Sequence, residues 1–193
     1  MTTTIHTLLA AALGAAALLA HAEPVTYTVD PSHTGITWEA LHAGTSTLRG
    51  YFAVKEGGSI TVDRAAKSGK LDIGVDLLSL NTPVKHLENG LRGDNGFNVA
   101  AGPTARFTSE RFTFDGDKPS AIEGNLTMLG KTVPVTLRTV RFNCYDHPML
   151  KREVCGGDFE GMVSRSQLGV TLSPQGAADN VRLLVEVEAV KTQ

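Results

Sequence analysis

Strict alternation of apolar and polar residues is the feature of this sequence that most constrains its fold. Residues 36–42, 71–77, 133–137 and 181–189 each place mostly apolar side chains at every second position. A period of two is typical of β-strands that bury one face and expose the other. Turns rich in glycine and aspartate separate these runs. The pattern therefore predicts an all-β chain of antiparallel strands.

A sheet of many short strands must hide its edges, and closing into a barrel does so. We predict an extended antiparallel β-barrel of about eight strands, although the pattern alone also allows a β-sandwich. One short helix is predicted over Val84–Leu91. Phe107 and Phe112 are out of phase with each other, which indicates either a β-bulge near Ser109–Arg111 or a strand that contacts the core on both faces. A barrel of this size is filled by side chains or holds one small ligand.

The first 22 residues are predicted to be a cleaved signal peptide. Residues 5–20 are almost all apolar or small, and Ala20-His21-Ala22 matches the small-residue pattern that precedes cleavage. An uncleaved membrane anchor is the alternative, but such a span needs about 20 strongly apolar residues. No second long apolar run follows, so the remaining chain is not expected to be an integral membrane protein. The predicted boundaries are 1–22 for the signal peptide and 23–193 for one β-barrel domain.

The two cysteines, Cys144 and Cys155, are predicted to form a disulfide. An even number of cysteines in an exported chain favours pairing. The bond would close a loop of about twelve residues and contribute about 3 kcal/mol on the chain-entropy description. The alternative is a metal-binding pair, for which His147 is the nearest further ligand.

Charge and motifs argue against nucleic-acid binding and catalysis. The formal net charge is −2 and no block of Lys or Arg occurs, whereas nucleic-acid-binding proteins carry a basic excess. The sequence has no G-x-S-x-G, and its P-loop-like residues 124–132 lead into a strand instead of a helix. Covalent haem and dinucleotide motifs are absent from the sequence. We therefore predict no enzyme activity, no cofactor and no metal, leaving open only a metal site assembled in three dimensions.

Motifs along almost the whole chain beyond residue 22 resemble those of the YceI-like family. The N-terminal blocks are Asp30-Pro31-Ser32-His33-Thr34, Ile36-x-Trp38, His42-x-Gly44 and Arg49-Gly50-x-Phe52. The later blocks are Phe97-Asn98-Val99, Pro103-Thr104-Ala105-x-Phe107-x-Ser109, residues 124–137 and Arg165-Ser166-x-Leu168-Gly169-Val170. The resemblance implies a lipocalin-like barrel in the periplasm of a Gram-negative bacterium. It also implies that the barrel binds a polyisoprenoid or another long-chain lipid.

On this interpretation, inward-facing apolar side chains contact the lipid tail. The candidates are Trp38, Phe52, Phe97, Phe107, Phe112, Phe114, Leu126, Met128, Leu137, Phe142 and Phe159. Phe97 lies just after the predicted helix and is expected to close the cavity. Polar side chains at the mouth are the candidates for a head group: Arg92, Arg49, His33, His42 and Asn98. A solid core and ordinary turn roles are the alternatives for these residues.

The resemblance leaves several partners and functions open. The lipid could be a polyprenyl phosphate, an isoprenoid quinone or a fatty amide, and the protein could form a homodimer. One alternative function is an accessory to a membrane cytochrome of the b type, in which the barrel handles quinone. Another is a stress-response protein with a solid barrel and a protein partner. No nucleic-acid partner is expected.

Overall fold

The protein is built almost entirely of antiparallel strands, in a computed structural model that describes residues 23–173 and 175–192. The predicted signal peptide, residues 1–22, lies outside the described residues. The strands are β1 Val25–Val29, β2 Gly35–His42, β3 Ser46–Ala53, β4 Ser59–Asp63, β5 Ser68–Asp76, β6 Thr104–Asp115, β7 Lys118–Met128, β8 Lys131–Asp146, β9 Glu153–Ser164 and β10 Ala177–Lys191. The helix α1, Lys85–Arg92, confirms the helix predicted over Val84–Leu91. None of the helices in the described ranges could span a membrane by length and apolar character.

The sheet closes on itself through β1. Its strand order is β1-β4-β5-β6-β7-β8-β9-β10, and β1 also pairs with β10. β2 pairs with the N-terminal part of β10 and with β3, so β2 and β3 extend the wall beyond β1 and β4. The wall thus has eight strand positions, two of which hold two short strands in succession. This arrangement confirms the predicted eight-stranded antiparallel barrel.

The turn between β1 and β2 explains why that wall position is divided. The Asp30 carboxylate accepts hydrogen bonds from the Ser32 backbone N–H at 2.9 Å and from the Ser32 hydroxyl at 2.6 Å. Its other oxygen lies 2.8 Å from Nδ1 of His33. These contacts, with Ser32 first and His33 second, lower the pKa of Asp30 to about 2. Thr34 then returns the chain to the sheet, since its buried hydroxyl donates to the Glu188 carbonyl.

A β-bulge in β6 confirms the phase change predicted near Ser109–Arg111. The register between β6 and β7 shifts between Ser109 and Arg111. The buried Ser109 hydroxyl donates to the Glu123 carbonyl at 2.7 Å and accepts from the Arg111 N–H at 3.1 Å. The hydroxyl therefore satisfies a backbone N–H in the irregular segment. Beyond the bulge, Phe112 again faces the barrel interior.

Candidate functional site

The barrel interior contains an apolar cavity of about 480 Å³. All ten strands contribute side chains to its wall. Ten of the eleven side chains predicted to contact a lipid tail line this cavity: Trp38, Phe52, Phe97, Phe107, Phe112, Leu126, Met128, Leu137, Phe142 and Phe159. Phe114 is not among the lining residues and instead stacks on Phe112 with ring centroids 6.4 Å apart. The alternation in sequence therefore identified the wall of a cavity.

Aromatic rings packed over glycines keep the centre of the barrel open. A Cβ built on Gly50 would lie 2.2 Å from the ring of Trp38, its partner across β2 and β3. A Cβ on Gly124 would lie 2.5 Å from the ring of Phe107. Each ring thus occupies the space that a neighbouring side chain would fill, and it lies against the wall. Both rings also line the cavity.

One end of the cavity, here called the helix end, is covered by α1, by the segment that follows it and by the loop between β9 and β10. Leu87 and Leu91 of α1 line the cavity. Phe97, which follows α1, packs edge-on against Phe52 with ring centroids 4.9 Å apart and an interplanar angle of 88°. This contact attaches the segment after α1 to β3. Phe97 thus lines the cavity beside α1, and its role in closing the cavity stays a prediction.

Arg165 holds the chain together at the helix end. It follows β9 and donates hydrogen bonds to the carbonyls of five residues: Val170, Leu172, Ser173, Ala177 and Ala178. The distances range from 2.8 to 3.4 Å. All three nitrogens of the guanidinium are engaged, so Arg165 lines the cavity without a free nitrogen for a ligand. Its role is to close the loop between β9 and β10.

Two histidines also line the cavity at the helix end. His42 is the last residue of β2, and His86 lies in the first turn of α1. His42 is the one predicted head-group candidate that lines the cavity. His86 was not predicted to contact a ligand. The signal for it was its place in the predicted helix, four residues before Gly90.

The opposite end, here called the disulfide end, is crossed by Arg64. The sulfurs of Cys144 and Cys155 lie 2.08 Å apart, at bonding distance, on a directly opposed pair of β8 and β9. Nη2 of Arg64 lies 3.4 Å from each of these sulfurs. It also donates to the Tyr27 hydroxyl at 3.1 Å and to the Glu153 carboxylate at 3.4 Å. Arg64 and Tyr27 both line the cavity, so this polar cluster forms one end of it.

Burial and hydrogen bonding set the ionisation of this cluster. Tyr27 is buried, and its hydroxyl donates to the Glu153 carboxylate. Burial, followed by this hydrogen bond, raises the pKa of Tyr27 to about 12. The same hydrogen bond is the main cause that lowers the pKa of Glu153, with the charge of Arg64 adding to it. At neutral pH the cluster therefore holds one cation, one anion and a neutral phenol.

Arg92 and Asn98 belong to the structure around α1 and do not line the cavity. The Arg92 guanidinium donates to the carbonyl of Leu78 at 3.0 Å and to that of Leu80 at 2.6 Å. These bonds attach α1 to the segment after β5. Asn98 has a positive φ of 42° and its carbonyl accepts from Ala101. Both residues shape the cover of the cavity, and their contact with a head group stays a prediction.

Arg49 and His33 lie elsewhere on the barrel. Nε of Arg49 donates to Glu39 at 2.8 Å across β2 and β3. His33 belongs to the turn after β1, where it pairs with Asp30. Neither residue lines the cavity. The structure thus brings His42 to the cavity but distributes the other head-group candidates over the cover and the outer wall.

Arg64 is a second polar residue at the cavity, besides His86, that the sequence did not predict. It continues the inward phase of Ile60 and Val62, one residue beyond the end of β4. The alternation therefore carried a signal, because it predicts an inward-facing cation at this position. Its contacts with Cys144 and Cys155 become visible only when the barrel closes, since β4 and β8 lie on opposite sides of the ring.

The disulfide end contains the one cluster of candidate metal ligands found among the described residues. Cys144, Glu153 and Cys155 place their ligand atoms within 4.8 Å of one another. The two sulfurs are bonded to each other, so they do not offer thiolates. His147 is the further ligand that the metal-binding alternative would use. Its Nδ1 already accepts hydrogen bonds from the backbone N–H groups of Met149 and Leu150. The arrangement favours the disulfide over the metal-binding alternative.

Comparison with known proteins agrees with this architecture. Residues 27–189 match the YceI-like domain family. Protein YceI of Salmonella arizonae is 29% identical over 159 residues, which cover 82% of each chain, and Protein YceI of Salmonella enteritidis matches to the same extent.

Solved structures show the same fold at lower sequence identity. BcnA of Burkholderia cenocepacia superposes with a TM-score of 0.63 at 20% identity, covering 83% of this chain and 99% of BcnA. A polyisoprenoid binding domain from Saccharophagus degradans, implicated in plant cell wall breakdown, gives a TM-score of 0.56 at 11% identity. That match covers 86% of this chain and 98% of the domain. Since the family match spans most of the sequence, this chain is a member of the YceI-like domain family.

Proposed function

We propose that this protein binds a long-chain isoprenoid or a similar lipid in its barrel and carries it outside the cytoplasm. The observation that supports this most is the apolar cavity of about 480 Å³, whose polar groups are concentrated at its two ends. An apolar wall suits a uniform tail, because burying a tail requires area and shape more than hydrogen bonds. Family membership and the polyisoprenoid binding domain with the same fold support the same class of ligand.

The size of the cavity limits the length of tail that it encloses. At roughly 30 Å³ for each heavy atom, about the volume of a water molecule in the liquid, the cavity holds on the order of sixteen carbons. Three isoprene units or a fatty chain of similar length fit this estimate. A longer tail would have to extend past one end of the barrel.

The chemistry of the cavity supports binding more than catalysis. Its wall consists of aliphatic and aromatic side chains. Two of the polar side chains at its ends, Arg165 and Tyr27, are engaged in hydrogen bonds within the protein. We propose that the ten lining side chains predicted from the sequence contact the tail.

The direct experiment is native mass spectrometry of the protein purified gently from its own periplasm. We expect a retained ligand mass, which organic extraction then identifies as a lipid with a tail of about this length. Protein that leaves the periplasm without any ligand, and that takes up no lipid when one is supplied, would contradict the proposal.

A matched pair of variants locates the ligand. Met128 is buried and lines the cavity, whereas Met162 lies on the outer face of β9 and is 54% exposed. Met128→Trp narrows the cavity and is expected to weaken lipid retention about tenfold, since overfilling a core costs roughly 1–3 kcal/mol. Met162→Trp makes the same chemical change outside the barrel and should leave retention unchanged. Equal retention by both variants would place the lipid elsewhere.

A further inference from the structure

Arg64 differs from the other arginine at the cavity in the number of its engaged nitrogens. All four of its hydrogen-bond contacts are made by one nitrogen, Nη2. Among the described residues, Nε and Nη1 have no hydrogen-bond partner. Arg165, by contrast, uses Nε, Nη1 and Nη2 on backbone carbonyls. Of the two arginines at the cavity, only Arg64 therefore brings unused N–H donors to it. The buried Nε1 of Trp38, on the cavity wall, also has no hydrogen-bond partner among the described residues.

The position of Arg64 is fixed from both sides of the barrel. Its backbone follows β4, and β4 lies four strand positions from β8 in a ring of eight, on the opposite wall. The side chain crosses to the sulfurs of Cys144 and Cys155, and the Tyr27 hydroxyl supports it from β1. The side chain of Arg64 is 36% exposed. It is therefore held across the bore and still accessible.

The charges around Arg64 nearly cancel. Glu153 lies 3.4 Å from Nη2, and Tyr27 donates a second hydrogen bond to the same carboxylate. At the rim, Lys67 pairs with Asp117 at 2.7 Å, and Asp117 also lines the cavity. An anionic group would meet two carboxylates that already pair with the two cations, Arg64 and Lys67, so it gains no net attraction. A neutral carbonyl oxygen accepts hydrogen bonds from the Arg64 N–H groups without being repelled by the carboxylates.

From this geometry we infer that Arg64 donates hydrogen bonds from Nε and Nη1 to a neutral carbonyl oxygen of the bound lipid. The head group then lies at the disulfide end, and the tail runs along the barrel toward α1. This inference rests on the proposed function, because it assigns the orientation and head-group class of the same ligand. It moves the head group away from Arg92, Arg49, His33, His42 and Asn98.

Three probes with sixteen carbons each test the inference: 2-hexadecanone, hexadecane and hexadecyl phosphate. Their dissociation constants are measured by displacement of a fluorescent lipid from the full protein. The wild type should bind the ketone about tenfold more tightly than the hydrocarbon, as one or two hydrogen bonds from a charged donor allow. The phosphate should bind no more tightly than the ketone.

Two variants separate a head-group contact from a general effect. Arg64→Met should remove the preference for the ketone and leave hexadecane binding within about twofold. Arg138→Met is the control, because Arg138 is exposed on the outer face of β8, and it should keep the preference. Arg64→Lys should keep part of it. Thermal unfolding of each variant checks that the barrel is intact.

The outcomes are distinct. Equal binding of ketone and hydrocarbon by the wild type, or a preference that survives in Arg64→Met, would overturn the Arg64 assignment while lipid binding itself stands. Tighter binding of the phosphate would overturn the neutral head group. Failure of the wild type to bind any of the probes would contradict the proposed function itself.

Discussion

The two ends of the barrel each contain an arginine at the cavity, but the two residues are bonded in different ways. At the helix end, Arg165 donates to five backbone carbonyls in the loop between β9 and β10 and in the first two residues of β10. At the disulfide end, Arg64 spans the bore and contacts side chains of three other strands through one nitrogen. A saturated guanidinium stabilises a fold, whereas one with unused donors can also recognise a ligand. The comparison teaches that proximity to a cavity does not by itself make a cation a binding residue.

The ends also differ in what closes them. The helix end is covered by backbone segments: α1, the residues after it, and the loop that Arg165 holds. The disulfide end is closed by side chains, with the Cys144–Cys155 pair on one wall and Tyr27 on another. A cover made of backbone is removed only by local unfolding. Side chains, unlike such a cover, change rotamer without breaking the sheet.

The largest effect is expected from removing the saturated arginine. Arg165→Met leaves five carbonyls without their donor, and we expect a loss of about 4 kcal/mol in the free energy of unfolding, measured with urea. Arg64→Met should cost about 1 kcal/mol or less, because its contacts are long and the residue is partly exposed. Similar losses for the two variants would remove the distinction between the two ends.

The next effect is expected from the disulfide. Replacing Cys144 and Cys155 together by serine should lower the free energy of unfolding by about 2–3 kcal/mol, since the bond closes a short loop. Chemical reduction of the wild type should give a similar loss, and the double variant should not respond to the reductant. Hydrocarbon binding should persist in the variant, because the wall and the helix end are unchanged. Loss of that binding would show that the disulfide end also maintains the cavity.

A smaller effect is expected at alkaline pH. Burial and the hydrogen bond to Glu153 raise the pKa of Tyr27 from its ordinary value of 10.0 to about 12 in the folded protein. Its contribution is therefore fully present below pH 10 and is lost as the pH rises toward 12, because the unfolded chain ionises first. We expect the wild type to lose roughly 2 kcal/mol over this range beyond what Tyr27→Phe loses. Parallel stability curves for the two proteins would contradict the buried Tyr27–Glu153 contact.

Much of the fold could be predicted from the sequence because the alternation is local. The alternating runs around Trp38 and Val187 show which face of each strand is buried. The phase change between Phe107 and Phe112 indicated either a β-bulge or core contacts on both faces, and the structure has the bulge. The same alternation found nine of the predicted cavity-lining side chains, and Phe97, which follows α1, lies outside the strands. It could not show that Phe107 lies over Gly124, because that contact depends on the register of two strands.

The polar contacts were harder to predict because their partners are distant in sequence or lie on the backbone. Arg92 was a head-group candidate because it lies next to the cover. It binds the backbone carbonyls of Leu78 and Leu80, and since every residue has such a carbonyl, the amino-acid types do not reveal these contacts. Arg64 had the inward phase of β4, yet its contact with Cys144 spans 80 positions. Contacts with backbone carbonyls, and contacts between opposite walls of the barrel, become visible only in the folded structure.

The central claim is that the barrel encloses a lipid tail of limited length. Affinity measured for a series of 2-alkanones with 8 to 24 carbons tests it most directly. Binding should strengthen by about 0.8 kcal/mol for each added methylene, and then level off near sixteen carbons, when the cavity is full. Affinity that does not depend on tail length, or that keeps rising through 24 carbons, would contradict an enclosed cavity of this size.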